Sequence, residues 1–91
     1  MRMMLMGEGG SITPERVIMV ASLQSEPVKR FLKYTDAKMV VNMTYGYPQR
    51  SVIVFDNGMV AVTRYTVEQL TTAINRGEEV YHDDHVTFQR S

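Results

Sequence analysis

Two hydrophobic periods alternate along the chain. Within residues 25–38, apolar Val28, Phe31 and Leu32 fall at i, i+3 and i+4, on one face of a helix of about three turns. Ser25 stands where that helix would be capped, and Pro27 falls in its first turn, where a missing N–H removes no hydrogen bond. A second helix is predicted from Thr66, which has the capping-box spacing to Gln69. It buries Val67, Leu70, Ala73 and Ile74 and stops at Gly77.

The other period is that of strands. Residues 17–21, 39–43, 52–55 and 59–62 are short apolar runs bounded by turn residues, and shorter strands are expected around Leu5 and Ile12. Asn57-Gly58 separates the last two long runs and predicts a hairpin closed by a type I′ turn, since both residues tolerate positive φ. The pattern predicts an α+β fold: a small, mostly antiparallel sheet with two short helices. Residues 17–21 and 52–55 are continuously apolar instead of alternating, which means burial on both faces. Two short helices are expected to cover one face of such a sheet, leaving the second face or an edge to another subunit.

Length makes association more pressing. Ninety-one residues form one domain with little surplus stability, and the absence of cysteine removes disulfides, thiolate metal sites and thiol nucleophiles as remedies. The formal charge is zero but unevenly placed. Residues 1–76 carry nine Lys/Arg against six Asp/Glu, and residues 77–91 carry one against four. A mildly basic body thus precedes an acidic tail, expected to be dispensable for folding. The apolar opening residues 1–6 are too short for a secretory signal and no run is long enough for a membrane helix, so a cytoplasmic protein with no membrane partner is expected.

Few residues suggest chemistry. Gly7-x-Gly9-Gly10 lacks the third glycine and the following helix of a dinucleotide loop, and reads as a turn needing positive φ. Ser11-Ile12-Thr13-Pro14 reads as extended backbone. His82-Asp83-Asp84-His85 has metal-ligand residue types but no rigid element to hold them, and no metal site is assigned. Asp36, Asp56 and Glu68 look like helix-end, turn and first-turn residues, so neither an enzyme, a cofactor nor a small-molecule substrate is expected. Lys29, Arg30 and Lys33 read as a solvated helix face. Arg16, at the entry to a strand, and Arg50, opening another, are the candidates for phosphate contact, because a guanidinium donates two parallel hydrogen bonds and keeps its charge. The alternative for each is a carboxylate partner such as Glu15 or Asp56. Tyr45 and Tyr47 flank a turn, where they could stack on bases or pack at a subunit seam.

Read in order, Gly7-x-Gly9, Ile12, Arg16, Ser25-Glu26-Pro27-Val28-Lys29-Arg30, Thr44-Tyr45-Gly46, Arg50 and an apolar run closed by Asp56 resemble the RemA family of small bacterial regulatory proteins. The resemblance spans roughly residues 5–76, making residues 1–76 a RemA-like domain and residues 77–91 an acidic C-terminal tail. It implies a ring-forming homo-oligomer that binds double-stranded DNA and regulates transcription, with Arg16 and Arg50 at positions matching basic residues of the family. One departure stands out: the family's basic pair after Thr-Tyr-Gly is here Tyr47-Pro48. A ring-forming scaffold or protein-interaction module that has lost DNA binding is the alternative that this departure raises.

Overall fold

The computed structural model describes residues 3–6 and 10–76. The expected Gly7-x-Gly9 turn, the stop at Gly77, the His82–His85 cluster and the acidic tail lie outside the described residues. Met4–Leu5 (β1) and Ser11–Ile12 (β2) pair as a small antiparallel ribbon, closed by Met6 N–H donating to the Gly10 carbonyl at 2.7 Å. Next come Val17–Ser22 (β3), Glu26–Tyr34 (α1), Val40–Asn42 (β4), Ser51–Phe55 (β5), Val60–Thr63 (β6) and Val67–Arg76 (α2). Strands β3 to β6 form one sheet in the order β3-β5-β6-β4. Two of its three pairings are antiparallel, and β4 runs parallel to β6. β3 and β4 are therefore parallel to each other at opposite edges, and α1 is the crossover that carries the chain between them.

Both faces of the central strands are buried within one chain. On one side, Ile53 and Ala61 pack with Met4, Met6 and Ile12 from the ribbon and with Tyr65, Leu70 and Ala73. On the other, Val52, Val54, Val60 and Val62 pack with Val28 and Leu32 of α1 and with Ala21, Leu23 and Val40. Of the expectation that another subunit covers the second face or an edge, this corrects the part that concerns the face. The crossover helix covers it, while α2 and the ribbon share the first. Phe31, expected in the core, is 42% exposed, because only the i, i+4 row of Val28 and Leu32 rests on the sheet. Apolar surface is also left unburied at both sheet edges, in Ile18 and Met19 of β3 and Val41 of β4, and in Met3 and Leu5 of the ribbon segment, Tyr34 of α1 and Tyr45. Ile18 is 66% exposed because it is the extra residue where the β3–β5 register shifts between Val17 and Met19.

Local chemistry sets the element ends. α1 stops at Tyr34, short of the expected Lys38. Thr35 Oγ1 donates back to the Phe31 carbonyl at 2.7 Å, and the Asp36 carboxylate accepts from Lys38 N–H at 3.0 Å to start a 3-10 turn over Ala37–Met39. Such side chains compete with helix continuation. Ser25 holds the N-cap position without a side-chain bond. The α2 capping box is complete: Thr66 N–H donates to Gln69 Oε1 at 2.8 Å, and Gln69 N–H to Thr66 Oγ1 at 3.1 Å. The Asn57-Gly58 hairpin forms, but with Gly58 alone at positive φ (+89°). Phe55 N–H donates to the Met59 carbonyl and Gly58 N–H to the Phe55 carbonyl, so the loop has three residues, with the glycine in the left-handed position that a three-residue hairpin requires.

Candidate functional site

Arg16 and Arg50 are held at opposite ends of one strand pair. Thr13 is extended, as expected before a proline, and Pro14 opens a single 3-10 turn over Pro14–Arg16 that delivers Arg16 to the start of β3. The Arg16 carbonyl accepts from Asp56 N–H at 2.9 Å, continuing the β3–β5 ladder by one step. Its side chain closes on the same residue: Nε donates to Asp56 Oδ1 at 3.1 Å and lies 3.0 Å from Oδ2. The two side chains remain 54% and 43% exposed. The pair stands at the rim of an open, mainly apolar cleft of about 560 Å³ lined by Ile12, Val41, Met43, Phe55 and Met59.

Arg50 is fixed through its backbone. Its N–H donates to the Thr63 carbonyl at 2.8 Å and its carbonyl accepts from Leu23 N–H at 2.9 Å, tying the start of β5 to the end of β6 and to the segment after β3. The side chain is exposed and has no hydrogen bond or ion pair among the described residues. With β5 between them, Arg16 and Arg50 are about 20 Å apart along the strand direction. One subunit thus offers two separated cationic points instead of one convergent site.

The turn before Arg50 separates the two tyrosines. Tyr47 N–H donates to the Thr44 carbonyl at 3.1 Å, and the central residues Tyr45 and Gly46 have φ of +52° and +87°. Both positive values are those of a type I′ turn, the geometry expected at Asn57-Gly58 and found here instead. Thr44 is anchored below, its N–H and Oγ1 both donating to Asn42 Oδ1 at 2.9 and 2.6 Å. Tyr47 turns inward and Tyr45 outward.

Tyr47 packs on a residue that sequence reasoning missed. Arg64 is only 5% exposed, its guanidinium carbon 4.3 Å from the centre of the Tyr47 ring and 5.2 Å from that of Tyr65, with Nη2 donating to Tyr65 Oη at 3.1 Å. A buried arginine needs such partners, and the aromatic faces supply part of the compensation. The signal was a lone charge between Thr63 and Tyr65, immediately after the apolar run of β6. Next to it, Ser51 Oγ and Thr63 Oγ1 are 2.7 Å apart, and Ser51 Oγ donates to the Tyr65 carbonyl at 2.8 Å, closing the polar end of the core.

On the basic face of α1, Lys29 pairs with Glu26 at 3.3 Å and Lys33 stands 5.7 Å from the centre of the exposed Tyr34 ring. No helix of the described residues is long and apolar enough to cross a membrane.

A family model described as RemA-like, extracellular matrix regulatory protein A-like, matches residues 3–74. A relative from Heliobacterium modesticaldum is 29% identical over 82 residues, covering 89% of this chain and 90% of its own. Others are 30% identical in Dictyoglomus thermophilum (87% of this chain, 94% of its own) and 31% identical in Bacillus cereus strain AH187 (88% and 93%). Each is provisionally named a regulatory protein.

Proposed function

The chain belongs to the RemA-like family of extracellular matrix regulatory proteins, and from that premise we propose that it regulates transcription by binding double-stranded DNA as a closed homo-oligomer. The observation that carries this reading is the placement of Arg16 and Arg50: two exposed arginines about 20 Å apart on one rigid strand pair. Each suits a single phosphate, and repeating the pair round an assembly makes later contacts effectively intramolecular. In this arrangement residues 1–76, with their excess of positive charge, are the DNA-binding domain. Specificity then follows the spacing of phosphates along a bent duplex more than base reading.

One observation favours the scaffold alternative. Tyr47 packs inward on Arg64, so the turn after Thr44 offers Arg50 as its one exposed arginine, and Arg16 shares its charge with Asp56. A gel shift with genomic duplex fragments at low and moderate salt separates the two. The DNA-binding reading expects retention that falls with salt, the slope of log affinity against log salt being about −0.9 per phosphate neutralised. No retention at the lowest salt leaves the scaffold.

A further inference from the structure

Tyr45 stands at a type I′ turn position that glycine or asparagine would fill with less strain. It holds φ at +52°, a left-handed conformation that glycine and asparagine adopt readily and that is an outlier for a bulky side chain. Strain of this kind is ordinarily offset by packing, yet Tyr45 is 66% exposed. Everything around it is fixed. Thr44 is buried and doubly bonded to Asn42, Tyr47 N–H closes the turn on the Thr44 carbonyl, and Tyr47 itself lies against buried Arg64. Five residues further on, the chain presents the exposed Arg50. The turn is therefore a rigid mount that projects an aromatic ring into solvent, close in sequence to a cation.

We propose that Tyr45 is a DNA-contacting residue, its ring lying against the sugar and base edges of the duplex while Arg50 takes a neighbouring phosphate. This inference rests on the DNA-binding reading above and adds an uncharged contact to it. The chemistry fits: an aromatic plane complements the apolar face of deoxyribose, which every nucleotide shares, so the contact is sequence-tolerant, as a binding mode based on phosphate spacing requires. Strain held at an exposed position in an otherwise over-determined turn is the pattern found where a side chain is presented for binding.

The test is Tyr45→Asn, which keeps the left-handed backbone and removes the ring. Three measurements are made on the full chain: the melting temperature, the mass by light scattering, and retention of duplex DNA across a salt series. The expected result is a melting temperature equal to or above wild type, unchanged mass, and DNA affinity about tenfold weaker at every salt concentration with the same salt slope. Tyr45→Phe keeps the ring and is expected to retain most of the affinity. Arg50→Ala, by contrast, reduces the slope. If Tyr45→Asn binds DNA as wild type does, the inference fails while the DNA-binding reading stands. If it lowers the melting temperature or changes the mass, Tyr45 is a packing or seam residue and the inference also fails. Failure of wild type to bind any duplex overturns both.

Discussion

The Arg64 guanidinium lies 4.3 Å from the centre of the Tyr47 ring, and the contact joins the end of β6 to the turn that precedes Arg50. Tyr47 occupies the place where the family resemblance leads one to expect a basic residue. Its role here is to cover a buried cation. Substituting Tyr47 by Arg would bring a second guanidinium against the first and remove the ring that shields it. Tyr47→Arg is expected to destabilise the fold by about 2 kcal/mol or more, through like-charge contact and lost packing. Pro48→Arg changes an exposed residue and is expected to leave stability within about 0.5 kcal/mol. Urea denaturation of the two single variants checks the contrast. Equal stability for both would mean that the stack contributes nothing.

The capping box offers a smaller and cleaner effect. Thr66 and Gln69 satisfy each other's N–H groups at the start of α2, and α2 supplies Leu70 and Ala73 to the core. Thr66→Ala is expected to cost about 1 kcal/mol, and Thr66→Asn much less, because asparagine also caps. Thermal melts of the two variants measure this. Because the effect acts at the helix start, a Thr66→Ala cost indistinguishable from zero would show that tertiary packing alone holds that turn.

Helix starts and strand positions were legible because each depends on local spacing. The Thr66–Gln69 box and the four apolar runs needed nothing from elsewhere in the chain. What failed was long-range. That α1 is a crossover reaching from one sheet edge to the other depends on strand order, which no local pattern encodes, so coverage of the second face by Val28 and Leu32 was missed. The Asn57-Gly58 hairpin is not the expected type I′ turn because Asp56, its N–H committed to the Arg16 carbonyl, supplies a third loop residue. Arg64 was invisible for the same kind of reason. Its burial is set by Tyr47, seventeen positions earlier, and a lone arginine after a strand ordinarily reads as solvated. The candidate arginines were correctly placed at strand entries, but their separation needed the β3–β5 register.

Asp56 decides how much of the Arg16 charge reaches a ligand. The exposed pair contributes about 0–1 kcal/mol to stability after solvent screening, so removing it should barely move the melting temperature. Asp56→Asn keeps a hydrogen-bond acceptor for Nε and removes the negative charge. It is expected to strengthen DNA retention at low salt, whereas Arg16→Ala weakens retention and makes the salt dependence shallower by about 0.9 in slope. Neither should change the mass by light scattering. If Arg16→Ala dissociates the assembly instead, the residue belongs to a subunit seam and the phosphate role passes to Arg50 alone.

The two sheet edges present different apolar features, and that difference predicts how copies meet. β3 carries the bulged Ile18, and the face beside β4 carries Val41 at the lip of the cleft formed with Met43 and Met59. If copies associate through these two unlike surfaces, the contact is head to tail, and such contacts close into rings when the rotation permits. Wild type is expected to run well above a dimer by light scattering behind size exclusion. Ile18→Glu and Val41→Glu should each yield small species, since each spoils one of the two surfaces. Mixed in equal amounts, the two variants retain one intact surface apiece and should form a dimer that grows no further. The double variant should stay monomeric even when mixed with itself at high concentration. A face-to-face symmetric interface gives another outcome, because a charge on its single patch cannot be rescued by mixing. A wild-type monomer at micromolar concentration would remove the ring and, with it, the multivalent binding that makes two weak arginine contacts sufficient.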